Sequence, residues 1–379
     1  MTNLTIEKAS LAQALGVVTR AVSSRPTLPA LSTVLLKSED GRLRLSATNL
    51  EIGLSCWLDA HLDGDLAIAL PARTFNDMVS ALEGGSDVHI HANGECKATV
   101  KSGGSKTVLN GIGADEFPPL PEVFGNEALA LTLVSSAVKD AIRQVAFAAS
   151  TDDGRPILQG VQVDLEQDNM RLAATDGFRL AVRTLQLPTP VTKSIRFTIP
   201  AAALKELARI LPDSSESFQL YSLKNRSQLA FRTDNTELVA QQLEGNFPDY
   251  KVIIPKSTKL KVTVGTQDML KACKQVEIIA REGGHVAKLT FTPTADGKGN
   301  LTVSAQSEET GSSEIEVPLQ KLEGPVLSIV FNIRFLKDVL EAVKSKEVIF
   351  EANASNTPAV IKPRSEEEYT YVVMPMHQS

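Results

Sequence analysis

Cysteine is scarce in this chain of 379 residues: Cys56, Cys96 and Cys273 are all there are, widely separated in sequence. That spacing excludes both a disulfide framework and a Cys-x-x-Cys metal pair, and it predicts a reducing, cytoplasmic setting. Aromatic residues make up only 5%, so a surface that grips nucleic acid by stacking on bases is not expected. No run approaches the ~18 apolar residues of a membrane helix. Met1 leads into an alternating segment that lacks the basic region and apolar stretch of a secretory leader. Basic charge is in deficit, with 39 Lys and Arg against 45 Asp and Glu and a net charge of −6, the reverse of a generic nucleic-acid binder. Catalytic signatures are missing as well. The histidines (His61, His89, His91, His285 and His377) form no recurring acid, base and nucleophile set, and there is no serine elbow, His-Glu-x-x-His helix or dinucleotide glycine fingerprint.

What is present is a threefold repeat. Leu172-Ala173-Ala174-Thr175-Asp176-Gly177-Phe178-Arg179-Leu180 reads as strand, tight turn, strand, because Asp bonds its own backbone and Gly accepts positive φ. Leu45-Ser46-Ala47-Thr48-Asn49-Leu50 precedes it and Val303-Ser304-Ala305-Gln306-Ser307 follows, with Thr48, Thr175 and Gln306 separated by 127 and 131 residues. A helical stripe recurs at the same offsets: Leu11, Leu15, Val18 and Val22, then Val138, Ile142, Val145 and Ala149, then Met269, Cys273, Val276 and Ala280. Ser135 and Thr266 are expected as N-caps, with Lys8 a poorer one. A second helix per copy places Phe75, Met78 and Leu82 in register with Leu204, Leu207 and Leu211, and with Leu336, Val339 and Val343. The Asp176-Gly177-Phe178-Arg179 turn reads as private to the middle copy, since Asn49-Leu50-Glu51 and Ser307-Glu308-Glu309 differ from it.

Phe117-Pro118 and Phe247-Pro248 close the first two copies, which predicts three domains, 1–125, 126–255 and 256–379. The period, on the order of 126 residues, is far above that of a solenoid, so each copy is a domain with its own core. Hydrophobic content of 42% and charged content of 22% suit that reading. The fold class is α+β: three tandem copies, each with two helices on one face of antiparallel sheet.

Several fragments carry competing readings. Gly103-Gly104-Ser105-Lys106-Thr107 has Ser where a phosphate loop needs Gly and reads as a hairpin turn. His89 and His91 alternate on one strand face, which leaves a metal-dependent hydrolase as an alternative, against a solvated strand. Asp296-Gly297-Lys298-Gly299-Asn300 lacks the closing Glu of a calcium loop. The helices hold a small positive balance, with pairs at i, i+4 (Lys139 and Arg143, Lys205 and Arg209) and further cations at Lys271, Lys274, Arg334, Lys337, Arg20 and Arg73. Such pairs can meet successive phosphates or can be an ordinary solvated face.

Four motifs in order, Arg25-Pro26-Thr27-Leu28-Pro29-Ala30-Leu31, Ala174-Thr175-Asp176-Gly177-Phe178-Arg179-Leu180-Ala181, Phe247-Pro248-Asp249-Tyr250 and Tyr371-Val372-Val373-Met374-Pro375-Met376, closely resemble the bacterial DNA polymerase III beta subunit, the sliding-clamp family. The resemblance implies a non-catalytic, cofactor-free, head-to-tail homodimeric ring of clamp domains that encircles duplex DNA. It implies a partner-peptide pocket at Leu158, Thr175, Gly177, Arg179, Leu180, Pro248, Val372, Met374, Pro375 and Met376, which takes the polymerase alpha subunit, the clamp loader, other polymerases and repair proteins. It implies DNA-facing Arg25, Arg73, Lys139, Arg143, Lys205, Arg209, Lys271 and Lys274, and a dimer interface that sets Thr107 and Leu109 against Ile278 and Ile279. The chain departs from the family pattern at Phe178, where His is common, at Val252, where a basic residue is common, at Thr107, where an aromatic is common, and at Asp152, where Gln is common.

Overall fold

The computed structural model describes the chain except residues 1, 24, 94–95, 124, 126, 225–226, 366–367 and 377–379. Six α-helices occur among the described residues: α1 (Lys8–Val18), α2 (Ala72–Ala81), α3 (Ser135–Val145), α4 (Ala201–Ile210), α5 (Thr266–Ala280) and α6 (Ile333–Ala342). They fall two to a copy, as the periodicity predicts. The expected core positions are buried on α4 and α6, including Leu211 and Val343 just beyond each helix. On α2 the stripe differs. Phe75 and Val79 are buried while Met78 and Leu82 are half-exposed, because Leu82 already has extended backbone and leaves the helix axis. Ser135 and Thr266 open α3 and α5 as first helical residues, not as caps. The Thr266 hydroxyl donates instead to the Ser345 carbonyl at 2.7 Å.

By compactness the chain divides into two units, Met1–Ser136 with Arg209–Gln242, and Ala137–Ala208 with Leu243–Ser379. Two units arise from three copies because neighbouring copies share sheets. In the first unit, strand Ile52–Leu58 of the first copy pairs antiparallel with strand Thr236–Gln241 of the second, making one nine-stranded sheet. In the second unit, Arg179–Gln186 pairs antiparallel with Tyr369–Val373, making another sheet of nine. Each unit also holds a smaller sheet. Five strands in the first unit end on Ser105–Asn110, and four in the second end on Gly311–Leu319.

The strands alternate in burial as a half-buried antiparallel sheet requires; Asp87–Ala92, for example, buries Val88, Ile90 and Ala92. In the second unit Phe350 stacks on Phe291 (centroids 4.8 Å apart) and meets Phe331 edge-on (6.1 Å), all three fully buried. Phe350→Ala should therefore leave a cavity and cost about 3–5 kcal/mol, read as a lowered urea midpoint for the second unit.

Candidate functional site

The site grows from a turn. Between strands Asn169–Thr175 and Arg179–Gln186, the Thr175 hydroxyl donates to the Arg179 carbonyl (2.6 Å) and accepts the Gly177 N–H (3.0 Å). Asp176 Oδ1 accepts the N–H groups of Phe178 (2.9 Å) and Arg179 (3.0 Å). Gly177 has φ +93°, and a Cβ there would lie 3.0 Å from Arg155 Nη1. The first copy makes the same turn with other residues. Thr48 donates to the Ile52 carbonyl (2.8 Å) and accepts from Leu50 (3.0 Å), while Asn49 Oδ1 accepts from Glu51 (3.0 Å) and Ile52 (2.8 Å). Asn replaces Asp as acceptor, and Leu50 takes the glycine position at φ +77°. The turn is thus not private to the middle copy. Its hydrogen bonds need only a hydroxyl and an amide or carboxylate oxygen, so sequence identity understates the likeness.

What distinguishes the middle copy is Arg179. Its Nε donates to Asp176 (3.0 Å), Nη1 to Asp338 on α6 (2.5 Å) and Nη2 to the Phe147 carbonyl (2.9 Å). The guanidinium also lies over the rings of Phe147 (5.4 Å) and Phe335 (4.5 Å). Burial opposes its charge, but the Tyr371, Asp338 and Asp176 oxygens around it raise its pKa. The strand Tyr369–Val373 beside it is buried except at Thr370. Burial drives the Tyr371 phenol well above its ordinary value against the pull of Arg179, and it donates to the Phe335 carbonyl (2.9 Å). Arg179 is therefore tied into the protein at all three nitrogens and serves the site as a wall.

Leu180 and Val372 are strand partners, and with Ala173, Val182, Tyr250 and Val360 they form a buried apolar floor. Phe247, next to exposed Pro248, packs against it. Tyr250 is held by the Asp164 carboxylate (3.2 Å), and burial with that neighbour pushes its phenol up to about 12. The C-terminal segment forms the wall, with the Met374 N–H on the Phe178 carbonyl and the Met376 N–H on the Val330 carbonyl, each at 2.8 Å. A hollow of about 400 Å³ lies against Met374, Pro375 and Met376, with Lys288 and Ser328 at its polar side. Thr175, Gly177, Arg179, Leu180, Val372 and Met374 are thus brought together. Leu158 is buried in the 3-10 turn Pro156–Gln159. Phe178, Val252, Ile253 and Met374 are exposed apolar side chains, so the departures at Phe178 and Val252 leave that part of the surface apolar. Ile253 and Val360 were not singled out from the sequence; the interval of six residues after Phe247 and the strand pairing identify them.

Of the basic residues, Arg25, Arg73, Arg143, Lys205, Arg209, Lys271 and Lys274 are exposed. Lys139 is not: at 6% exposure it lies on the packed side of α3 and is partnered within the protein. Lys274 pairs with Glu341 (2.8 Å) and Arg143 with Asp140 (3.8 Å). Glu277 takes Lys337 (2.6 Å) and Arg334 (3.5 Å); burial raises its pKa, but these two cations outweigh it and hold the carboxyl below its usual value. The Asp152 carboxylate accepts the Gly154 N–H (2.9 Å). At the sheet edge Leu109 is buried and Thr107 half-buried, while Val108 between them is exposed, as is Ile278 on α5 beside half-buried Ile279. His89 and His91 sit within hydrogen-bonding distance of Thr5 (3.0 Å) and Asn3 (2.8 Å). No group of three or more His, Cys, Asp or Glu that could hold a metal occurs among the described residues.

Three family models match in succession: the N-terminal domain of the DNA polymerase III beta subunit over residues 2–121, its central domain over 132–249 and its C-terminal domain over 251–377. The chain is 34% identical over 368 residues to the beta sliding clamp of Synechococcus elongatus, covering 96% of each, and 30% identical to that of Staphylococcus epidermidis, covering 99% of each. Among solved structures it is similar to the DNA polymerase sliding clamp from Bacillus subtilis (TM-score 0.92, 28% identity, both chains covered in full). The sliding clamp from Pseudomonas aeruginosa bound to griselimycin gives a TM-score of 0.91 at 28% identity, again with full coverage.

Arg179→Ala should leave Asp176 and Asp338 facing each other without a counter-charge and destabilise the second unit by on the order of 3 kcal/mol. Arg179→Lys should recover less than half of that, since an ammonium lacks the guanidinium fork. Guanidinium titration of both variants measures the difference.

Proposed function

The chain belongs to the bacterial DNA polymerase III beta subunit family, the beta sliding clamps, and from that premise we propose that it is a non-catalytic processivity factor of DNA replication that works as a head-to-tail homodimeric ring around duplex DNA. The observation that carries this reading is a pair of unfinished sheets. In the repeat, strand Ser105–Asn110 corresponds to Thr236–Gln241 and Tyr369–Val373, and Gly311–Leu319 corresponds to Ile52–Leu58 and Arg179–Gln186. The latter strands pair across copies within the chain; the two former are sheet edges. A second chain that supplied the missing partner would complete a nine-stranded sheet like the other two and satisfy both edges. Val108 and Ile278 are the apolar side chains such a contact would cover, alongside Thr107, Leu109 and Ile279. Domain boundaries near residues 125 and 255 fit this arrangement.

Arg25, Arg73, Arg143, Lys205, Arg209, Lys271 and Lys274 would face the phosphates, with Lys139 behind them in the helix packing. Cations that meet phosphate without reading base edges hold DNA without sequence preference and allow sliding. The net charge of −6 limits where DNA can sit to that lining. The pocket floored by Leu180 and Val372 would receive short linear peptides of the polymerase alpha subunit, the clamp loader, other polymerases and repair proteins. Its methionine wall suits varied partners, because an unbranched thioether re-packs readily.

Loaded on closed circular DNA, the protein should stay bound through a high-salt wash and leave within minutes once the circle is cut. Retention on the linear product would contradict topological holding. Ile278→Asp should shift the mass seen by light scattering toward the 40.8 kDa of one chain. Met374→Ala with Met376→Ala should keep the dimer mass but lose binding of griselimycin, used as a pocket probe.

A further inference from the structure

The first copy repeats the frame of the docking pocket with smaller residues. In the pocket, Leu180 pairs with Val372 and Val372 with Val360. At the corresponding junction in the first unit, Gly53 pairs with Val239 and Val239 with Ala230. Leu and Val have become Gly and Ala, which deepens the hollow by several methyl groups. The turn that borders it is the one Thr48 and Asn49 build with the same hydrogen bonds as Thr175 and Asp176.

The chain fills this hollow itself. Leu120 stands three residues after Phe117, as Tyr250 stands three after Phe247, and it presses on Gly53 so closely that a Cβ there would come within 2.7 Å of Leu120 Cδ2. Val123 and Ile253 each stand six residues after that Phe. Ile253 is 42% exposed, whereas Val123 is 3% exposed and packs with Leu223, Ala230 and Val239. The bordering Leu50 is 58% exposed at φ +77°, a leucine held where glycine is favoured. Beside the plug a groove of about 630 Å³ runs between Phe117, Pro118 and Leu120 on one side and Leu35, Arg44 and Ser46 on the other.

We infer that the Gly53–Val239 junction is a second docking pocket for short apolar linear peptides, held shut by Leu120 and Val123 of the chain's own linker, so that each chain presents one open pocket. A tethered occupant acts at an effective concentration of about millimolar, which keeps the site closed against peptides of ordinary affinity. The inference rests on the reading of Leu180, Val372, Met374 and Met376 as the open pocket.

The test is the stoichiometry of griselimycin binding to the full-length protein by titration calorimetry. The parent should bind one molecule per chain, and Leu120→Ala with Val123→Ala should bind two. Adding Met374→Ala and Met376→Ala should bring that variant back to one, now at the first junction. A double variant that melts cooperatively and still binds one overturns the inference. If the parent keeps its one site when Met374 and Met376 are replaced, the open pocket has been misassigned, which is a separate failure. Should the double variant not fold, Val123→Ala alone decides: a second event at least tenfold weaker than the first supports the closed pocket, and a single event overturns it.

Discussion

An edge strand leaves a row of N–H and C=O groups without partners, and the order of this chain follows from how those groups are satisfied. Each copy of the repeat presents one edge to the copy before it and another to the copy after it. Within the chain the pairings Ile52–Leu58 with Thr236–Gln241 and Arg179–Gln186 with Tyr369–Val373 use up four of these edges. Those two pairings bind three repeats into two compact units and set the Leu180–Val372 and Gly53–Val239 contacts on which the proposed open and closed pockets rest. Both junctions are by-products of joining one sheet to the next.

A small set of side chains then differentiates the two junctions. The turn is common to both and rests on Thr with Asp or Asn, residues whose short oxygens bond the local backbone. In the middle copy Arg179 ties the turn to α6 through Asp338 and lies over two phenylalanine rings, which fixes the rim without presenting a free cation to a ligand. In the first copy Ile52 stands in that place and the linker packs inward. The change from an exposed Ile253 to a buried Val123 is a matter of which way one short segment lies, and in the first copy that segment packs on Leu223, Ala230 and Val239.

Much of this organisation was legible from residue spacing. The triplication, the pairing of two helices with antiparallel sheet and the strand–turn–strand at Thr175 follow from periodicity that any water-soluble core imposes. Spacing was less reliable where one residue's neighbours matter. Lys139 and Arg143 are four apart, yet one is buried and the other exposed, because the apolar stripe of α3 is wide enough to enclose the first. Leu109 turned inward and Val108 outward by the strict alternation of a strand, and Thr266 gave its hydroxyl to Ser345 in place of capping α5. The likeness of Asn49-Leu50-Glu51 to Asp176-Gly177-Phe178 was hidden because the turn depends on oxygen positions that Asn and Asp share.

The sequence by itself determined the three copies, their helix faces, the turn chemistry and the family to which the chain belongs, since these depend on local hydrogen bonding and on short-period burial that is written in neighbouring residues. Tertiary structure alone decided which residues from different copies meet: Gly53 under Leu120, Val372 beside Leu180, Arg179 against Asp338. Those contacts join residues up to nearly 200 positions apart, and no local pattern encodes them, because they follow from strand pairing across copies and from the volume each side chain leaves for the next.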